Sequence, residues 1–475
     1  MANLDILQSN MYHLTNIIEN TDQFGLSNRM AIKYENKLFF LTESEKFLWW
    51  NGKTWENIKK SILKHKVREV IEDIHKEINE VTGFAKIRNG EFITIQDLLK
   101  YKKKISKSSA INGTIDLLPT CKDVAVNDSN FDQITDHITV QNGILNLRTG
   151  ELRAHDPAFK STRIVTTHYI KDAVCPKFII FMNEISKSRP ELVEYLQVLL
   201  GYLFTGITVE QKLFIFFGQG ANGKSTLLNL LLRIAGGYGM TTPASTLLKK
   251  STNSIPCDLP RLKNAWLVVA SESNIDAKLD EAIIKILTGG EQIVARNLFE
   301  NFQSFKAFFK IVFASNILPD IRGCDHGIKR RIEVIPFERT FGADELDKDL
   351  EAKLTEELPG IFAWIVQGAI KYFDKRLMKC KAVQEATRQY REEMDTVENF
   401  LEDVCDLNRD NDKFRVSVAD LWQISNVWAD KNGIQNLSKK ELSGLIMRKG
   451  FRQGKSGVIR QWIGIKPKSK LTFRP

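Results

Sequence analysis

The sequence predicts an α/β protein in three parts, and three observations carry that expectation. Between about Cys175 and residue 340, apolar runs of strand character alternate with helical stretches, as in a parallel sheet covered by helices. One of those runs, Leu213-Phe214-Ile215-Phe216-Phe217, leads through a glycine-rich octet into a helical pattern over Thr226–Ala235 that stops at Gly236-Gly237. At the C-terminal end, basic charge collects around helical patterns and a hairpin. With 475 residues the chain is too long for one hydrophobic core. The expected division is an N-terminal α+β domain over 1–174, an α/β core with trailing helices over 175–395, and a winged-helix domain over 396–475.

In the N-terminal part, Arg29–Leu41 has strand character. Trp49-Trp50-Asn51-Gly52-Lys53-Thr54-Trp55 holds an Asn-Gly turn between aromatics, a hairpin signal. From Asn57 to Val81, apolar residues at Ile58, Ile62, Val67, Val70, Ile71, Ile74 and Ile78 recur at helical spacing. The small residues of Ser108–Gly113 suggest a loop, and Thr139–Leu152 suggests short strands around Asn142-Gly143 and Thr149-Gly150. Helical patterns follow at Phe178–Ile185 and Leu192–Phe204, and again from Leu346 to Met394.

Composition narrows the class. Hydrophobic residues make up 43% and charged residues 27%, ordinary for a globular chain. No apolar run is long enough for a membrane span, and the first residues lack the order of a secretory signal. A cytoplasmic protein is the expectation. The six cysteines are widely spaced and form no Cys-x-x-Cys pair, which argues against a zinc knuckle or a disulfide framework. The net charge is +10, and eleven basic residues from Lys439 onward face only Glu441. Removing that stretch leaves the rest of the 68 basic and 58 acidic residues in balance. A solvated tail fits this pattern, and so does a surface that binds a phosphate backbone.

Gly218-Gln219-Gly220-Ala221-Asn222-Gly223-Lys224-Ser225, followed by Thr226, fits the phosphate-loop pattern G-x-x-x-x-G-K-[ST]. Small residues let successive backbone N–H groups wrap phosphates. Lys224 would reach the β and γ phosphates of ATP, and the Ser225 hydroxyl would ligate Mg²⁺. A second apolar strand, Ala265–Ser271, ends at Glu272, an acid placed to polarise water beside the metal; any strand can also end in an exposed glutamate. A third, Lys310–Ser315, ends at Asn316, whose amide could bond the attacking water or the γ-phosphate. Arg330-Arg331 then precede the strand Ile332–Phe337. Paired arginines commonly make surface ion pairs, whereas a ring ATPase needs a cation that reaches the neighbouring subunit's γ-phosphate.

The ensemble resembles the superfamily 3 helicases, in the branch of poxvirus and satellite-phage primase-helicases and staphylococcal mobile-island replication helicases. The matching pieces span roughly residues 45 to 345. They include Asn142-Gly143-Ile144-Leu145-Asn146, Gly218–Thr226, Ala270-Ser271-Glu272, Lys285–Glu291, Phe313–Pro319 and Arg330–Phe337. The resemblance implies an AAA+-type ATPase core forming a homo-hexameric ring that moves on single-stranded DNA, 3′ to 5′, in a phage, virus or mobile element. It maps Asn316 to the sensor position and Arg331 to the arginine finger. It also places a DNA-gripping hairpin between Thr288 and Phe308, with Arg296, Asn297 and Lys306 as its grips. Long members begin with a primase-polymerase domain. The upstream part here is short for one, so a stand-alone helicase working with a separate primase or host replication proteins is expected.

The C-terminal region reads as a winged helix that would bind duplex DNA and let the helicase load at its own origin. Val418–Asp430 is helical, and Ser438-Lys439-Lys440-Glu441 is a capping box opening a second helix that ends at Gly450. Lys439, Lys440, Arg448 and Lys449 are the expected phosphate contacts, and Phe451–Ile465 is expected to make a wing carrying Lys455. A lid that packs on the ring is the competing reading. Two other functions share the same loop: an initiator in which ATP only switches DNA binding, and a small-molecule kinase.

Overall fold

The computed structural model describes residues 22–80, 86–88, 91–249, 258–271, 279–295, 303–319, 326–393, 396–408, 411–434, 436–457 and 459–468. Its centre is a five-stranded sheet, whose strands we number β1 (Leu213–Phe217), β2 (Gly239–Pro243), β3 (Leu267–Ser271), β4 (Lys310–Ser315) and β5 (Ile332–Pro336). They lie in the order β2-β3-β4-β1-β5, and every pairing is parallel. Strands covered on both faces read as continuous apolar runs, and β1 does: Leu213, Phe214, Ile215 and Phe216 are all fully buried. One face packs on the helices Pro176–Ile185, Pro190–Leu203, Lys224–Ala235 and Leu358–Lys375. The other packs on the helix Glu281–Gly289 and on Ile293 and Phe305.

Two details fix this core. The helices Pro190–Leu203 and Leu358–Lys375 touch backbone to backbone: a Cβ on Gly201 would lie 2.0 Å from the Ala369 nitrogen, and one on Gly368 1.9 Å from the Gln197 oxygen. The outer strand β5 is covered by the helix Lys381–Glu393, and the Val334 N–H donates to Thr387 Oγ1 at 2.9 Å.

The N-terminal region corrects two sequence expectations. Arg29–Lys33 belongs to the helix Gln23–Lys33, not to a strand, and only Leu38–Leu41 is extended. Asp22 caps that helix by accepting from the Gly25 N–H at 2.7 Å, and Leu26 and Met30 are fully buried beneath it. Ser108–Gly113 is not a loop but the start of the helix Ser108–Leu117. Its small residues serve packing instead, since Gly113 lies so close to Gln23 that a Cβ would come within 2.7 Å of its amide. The Trp50–Trp55 hairpin and the helix Lys60–Glu80 are present as expected.

The strands His137–Val140 and Gly143–Asn146 pair antiparallel, and Ile138, Val140, Leu145 and Leu147 share the core of the central sheet's helices. Arg163 ties this segment to the sheet. It is buried, pairs with Asp132 at 3.2 Å, and stands 4.6 Å from the ring of Tyr238 and 5.1 Å from that of Trp266. A buried charge needs such a partner and such ring faces to offset its lost hydration.

At the C-terminal end, the helix Thr396–Val404 precedes the strand Arg415–Ser417, the helices Val418–Lys431 and Lys439–Arg448, and a hairpin of Arg452–Ser456 with Ile459–Ile463. The capping box is present: Ser438 and Glu441 each bond the other's backbone N–H. Phe400, Leu421, Ile446 and Trp462 form a separate apolar core. Among the described residues no helix is long and apolar enough to cross a membrane. Cys121, Cys175, Cys380 and Cys405 are buried free thiols, and burial pushes Cys175 up to about 11.

Candidate functional site

The loop Gly218–Gly223 leaves the end of β1 and enters the helix Lys224–Ala235. Its glycines answer to two constraints. A Cβ on Gly218 would fall 2.1 Å from the Asn222 amide and 2.3 Å from the Phe337 carbonyl, and Gly223 has φ +78° against the Ile185 side chain. Larger residues at either position would push the loop off its path. Asn222 is buried and donates to the Phe337 carbonyl at 3.3 Å, tying the loop to the end of β5.

Lys224 is buried at the head of the helix. Its ammonium donates to the Gly218 carbonyl at 2.6 Å, to Asn222 Oδ1 at 2.9 Å and to Asn316 Oδ1 at 3.0 Å. Burial lowers its pKa to about 8. Ser225 is exposed beside it. Gln219 is exposed and Gly220 half-buried on the rim, and the Ala221 carbonyl accepts from the Phe341 N–H at 2.8 Å. A cleft of about 670 Å³ extends from the loop, walled by Phe181, Ile180, Phe341 and Leu350 and edged by charged residues such as Lys177 and Glu351. Sequence reasoning stopped at the octet and did not find this wall. Its pieces come from the helix Pro176–Ile185 and from the segment after β5, far from the loop in sequence.

The strand order explains how Asn316 arrives. β4 lies between β1 and β3, and Phe217 pairs with Ser315, so the residue after β4 emerges beside the loop. On the other side Ser271, the last residue of β3, pairs with Ala314. Glu272 lies outside the described residues, as do Arg296 and Asn297.

Arg330 and Arg331 stand at the other end of the same sheet. Ile332 pairs with Leu213 and Pro336 with Phe217, so the arginines are separated from their own chain's loop by the length of β1, about 15 Å. Arg330 is exposed, with Nη1 donating to Gln211 Oε1 at 3.0 Å. Arg331 is half-buried, and its Nη1 donates to the Gly327 carbonyl at 2.7 Å. Beside them Gln292–Ala295 pairs antiparallel with Gln303–Lys306. Ile293, Ala295 and Phe305 root this ribbon in the core, while Lys306 is exposed at its base opposite Gln292.

On the C-terminal part, Lys439, Lys440, Ser443 and Met447 line a groove of about 680 Å³ with Gln453 and Arg460 of the hairpin. Lys455 is exposed and pairs in register with Arg460. Lys449 does not join them: it is an ion-pair partner of Glu398 on the helix Thr396–Val404. Arg448 ends the helix, and its side chain lies outside the described set. Arg460, Gln453 and Ser417, which also lines the groove, were not singled out from sequence. Placing the hairpin turn at Gly457 would have aligned Arg460 with Lys455.

Comparison with known proteins adds family context. Residues 27–187 match a family model described as D5 N terminal like, and residues 216–331 match a family of unknown function, DUF5906. The chain is 27% identical over 373 residues to the protein named "Putative helicase L207/L206" of Acanthamoeba polyphaga mimivirus, covering 73% of this chain and 38% of that protein. It is also 27% identical over 428 residues to "Putative helicase 184R" of Invertebrate iridescent virus 6, covering 80% and 43%. "Putative primase C962R" of African swine fever virus is 24% identical over 291 residues, covering 55% and 30%. The chain thus spans less than half the length of these relatives. Among solved structures, the NrS-1 C terminal region (305-718) aligns over 93% of this chain and 100% of its own, with 13% identity and a TM-score of 0.49. The family model and the viral relatives support a D5-like primase-helicase family.

Proposed function

We propose that the chain is an ATP-driven DNA helicase of a viral, phage or mobile-element replication system, of the superfamily 3 type. In this reading an AAA+-type core works as a homo-hexameric ring on single-stranded DNA, and a C-terminal winged helix binds duplex DNA at an origin. The observation that carries the reading is the split of functional groups between the two ends of one parallel sheet. Lys224 and Asn316 meet at 3.0 Å at one end. Arg330 and Arg331 stand at the other, where they reach no phosphate on their own loop but could reach a neighbour's.

The residues fit ATP and Mg²⁺: a glycine cradle that a Cβ would fill, an ammonium held by oxygens at its centre, and an exposed Ser225 hydroxyl beside it. Backbone N–H groups of the loop would wrap the phosphates, with Ser225 and Glu272 holding Mg²⁺, which neutralises charge on the β and γ oxygens. Lys224 would exchange its loop oxygens for phosphate oxygens. Asn316 would then hold the attacking water or the γ-phosphate, Glu272 would polarise that water, and the arginine pair would stabilise the charge that develops on the neighbouring subunit's nucleotide.

A second reading draws on the basic groove of the C-terminal part: an initiator that binds duplex DNA under ATP control without unwinding. Measuring ATP hydrolysis with and without single-stranded DNA, together with strand separation of a forked duplex, decides between them. DNA-stimulated hydrolysis with strand separation supports the helicase. ATP-dependent duplex binding with no separation supports the initiator, and the absence of both strand separation and ATP-dependent duplex binding overturns both.

A further inference from the structure

We infer that Gln211 is a positioning residue that links the arginine pair to the base of the ribbon formed by Gln292–Ala295 and Gln303–Lys306, so that the two move together. The inference rests on the ring-ATPase reading, in which the arginines sense a neighbour's nucleotide and the ribbon faces DNA. Both ends of one amide are in use. Gln211 Oε1 accepts from Arg330 Nη1 at 3.0 Å, and Gln211 Nε2 donates to the Gly289 carbonyl at 3.2 Å. Gly289 closes the helix Glu281–Gly289, the chain turns at Gly290 with φ +79°, and the ribbon begins at Gln292. Arg331 crosses the same point, since a Cβ on Gly289 would lie 3.8 Å from its Nη2.

The position of Gln211 in the backbone points the same way. Its φ is +53°, a left-handed conformation that a side chain of this kind rarely adopts. Its N–H donates to the Thr208 carbonyl at 3.1 Å. The following residue, Lys212, is bound to Glu333 of β5 at 2.5 Å. The amide is therefore mounted on the start of β1, whose other end carries the nucleotide loop. Strained residues of this kind persist only where their surroundings hold them, and they gather at switching sites. When Arg330 shifts toward a neighbour's phosphate, the amide it grips shifts too, and with it the carbonyl from which the ribbon departs.

The bland role for Gln211 is to satisfy an orphan carbonyl at a helix end, and that role predicts lost stability without lost coupling. Two variants of the full chain separate the possibilities. Gln211→Gly removes the amide and accepts φ +53° without strain. Gln211→Glu keeps an acceptor for Arg330 but has no hydrogen to give Gly289. We expect both to hold their thermal midpoint and to hydrolyse ATP without DNA at close to the parental rate. Stimulation by a saturating oligo-dT strand should fall by about three- to thirtyfold. Full stimulation in both variants overturns the inference, as does a loss that only tracks a lowered midpoint. Full stimulation in Gln211→Glu alone removes the Gly289 arm and overturns it equally. A parental chain that DNA does not stimulate at all sinks the ring-ATPase reading itself, a result distinguishable from the others before any variant is made.

Discussion

The two ends of the central sheet are built differently. At the loop end, Lys224 and Asn222 are buried, and three oxygens hold the ammonium before any phosphate arrives. At the opposite end Arg330 is exposed and donates to Gln211, and Arg331 is half-buried and donates to the Gly327 carbonyl. In the proposed reading the contrast separates an end preorganised for a ligand within its own chain from one whose arginines serve a neighbouring copy. Rigid electrostatic sites act without reorganising, whereas a group acting on a neighbour must be free to move.

The comparison breaks first at Lys224. Lys224→Ala should lower ATP hydrolysis by about a hundredfold or more, as expected when the main cation of a phosphate site is lost. A variant that retains parental turnover would mean that the loop end is not the site of hydrolysis. Next come the arginines: Arg330→Ala and Arg331→Ala should each cut turnover by about 10³-fold if it acts as the finger. Mixing either with Lys224→Ala should restore part of the activity once mixed rings are shown to form, since some interfaces then pair an intact finger with an intact loop. Arg331, the residue that the resemblance maps to the finger, is expected to give the stronger recovery.

A third effect is smaller and concerns DNA. Cutting the chain before Val397 should leave nucleotide hydrolysis in place and weaken duplex binding. Within the intact chain, Lys440→Ala and Arg460→Ala should each flatten the slope of log affinity against log salt by about one. Lys449→Ala, whose partner is Glu398, should leave that slope unchanged. Titrations of a labelled duplex at several salt concentrations would show it.

The smallest effect follows from the burial of Lys224, which lowers its pKa to about 8. This group is depressed below its unfolded value, so the folded chain binds fewer protons between the two values and gains stability as pH rises through that window. In the proposed reading a nucleotide's phosphates need the charged form. Affinity should therefore be flat below pH 8 and weaken by about tenfold for each unit above it, with proton uptake visible by calorimetry in buffers of different ionisation enthalpy. Lys224→Met should bind weakly with no such slope.

What the sequence made legible follows the same division. The loop, its strand and its helix are contiguous, so local pattern was enough to place them. The strand ends Ser271 and Ser315 were also readable as apolar runs that stop. Gln211 was not, because its meaning lies in two long-range contacts that no spacing reveals. The helix Ser108–Leu117 was misread since its serines, asparagine and glycine look like a loop. The helix is held by packing, with Ser27 Oγ donating to the Thr114 carbonyl at 3.1 Å. Arg460 was lost in a general count of basic residues, because only the hairpin register sets it beside Lys455.

The hydrogen bond from Val334 to Thr387 has a consequence for how copies of this chain can meet. An open outer strand is a template on which another chain can add its own strand, a common route to runaway aggregation. Here that edge is roofed by a helix, and one of its backbone donors is already taken by a threonine hydroxyl. A second chain is thereby hindered from growing a continuous sheet across this edge. Thr387→Val removes the acceptor while keeping the shape, and solutions of that variant should cloud at lower protein concentration than those of the parent.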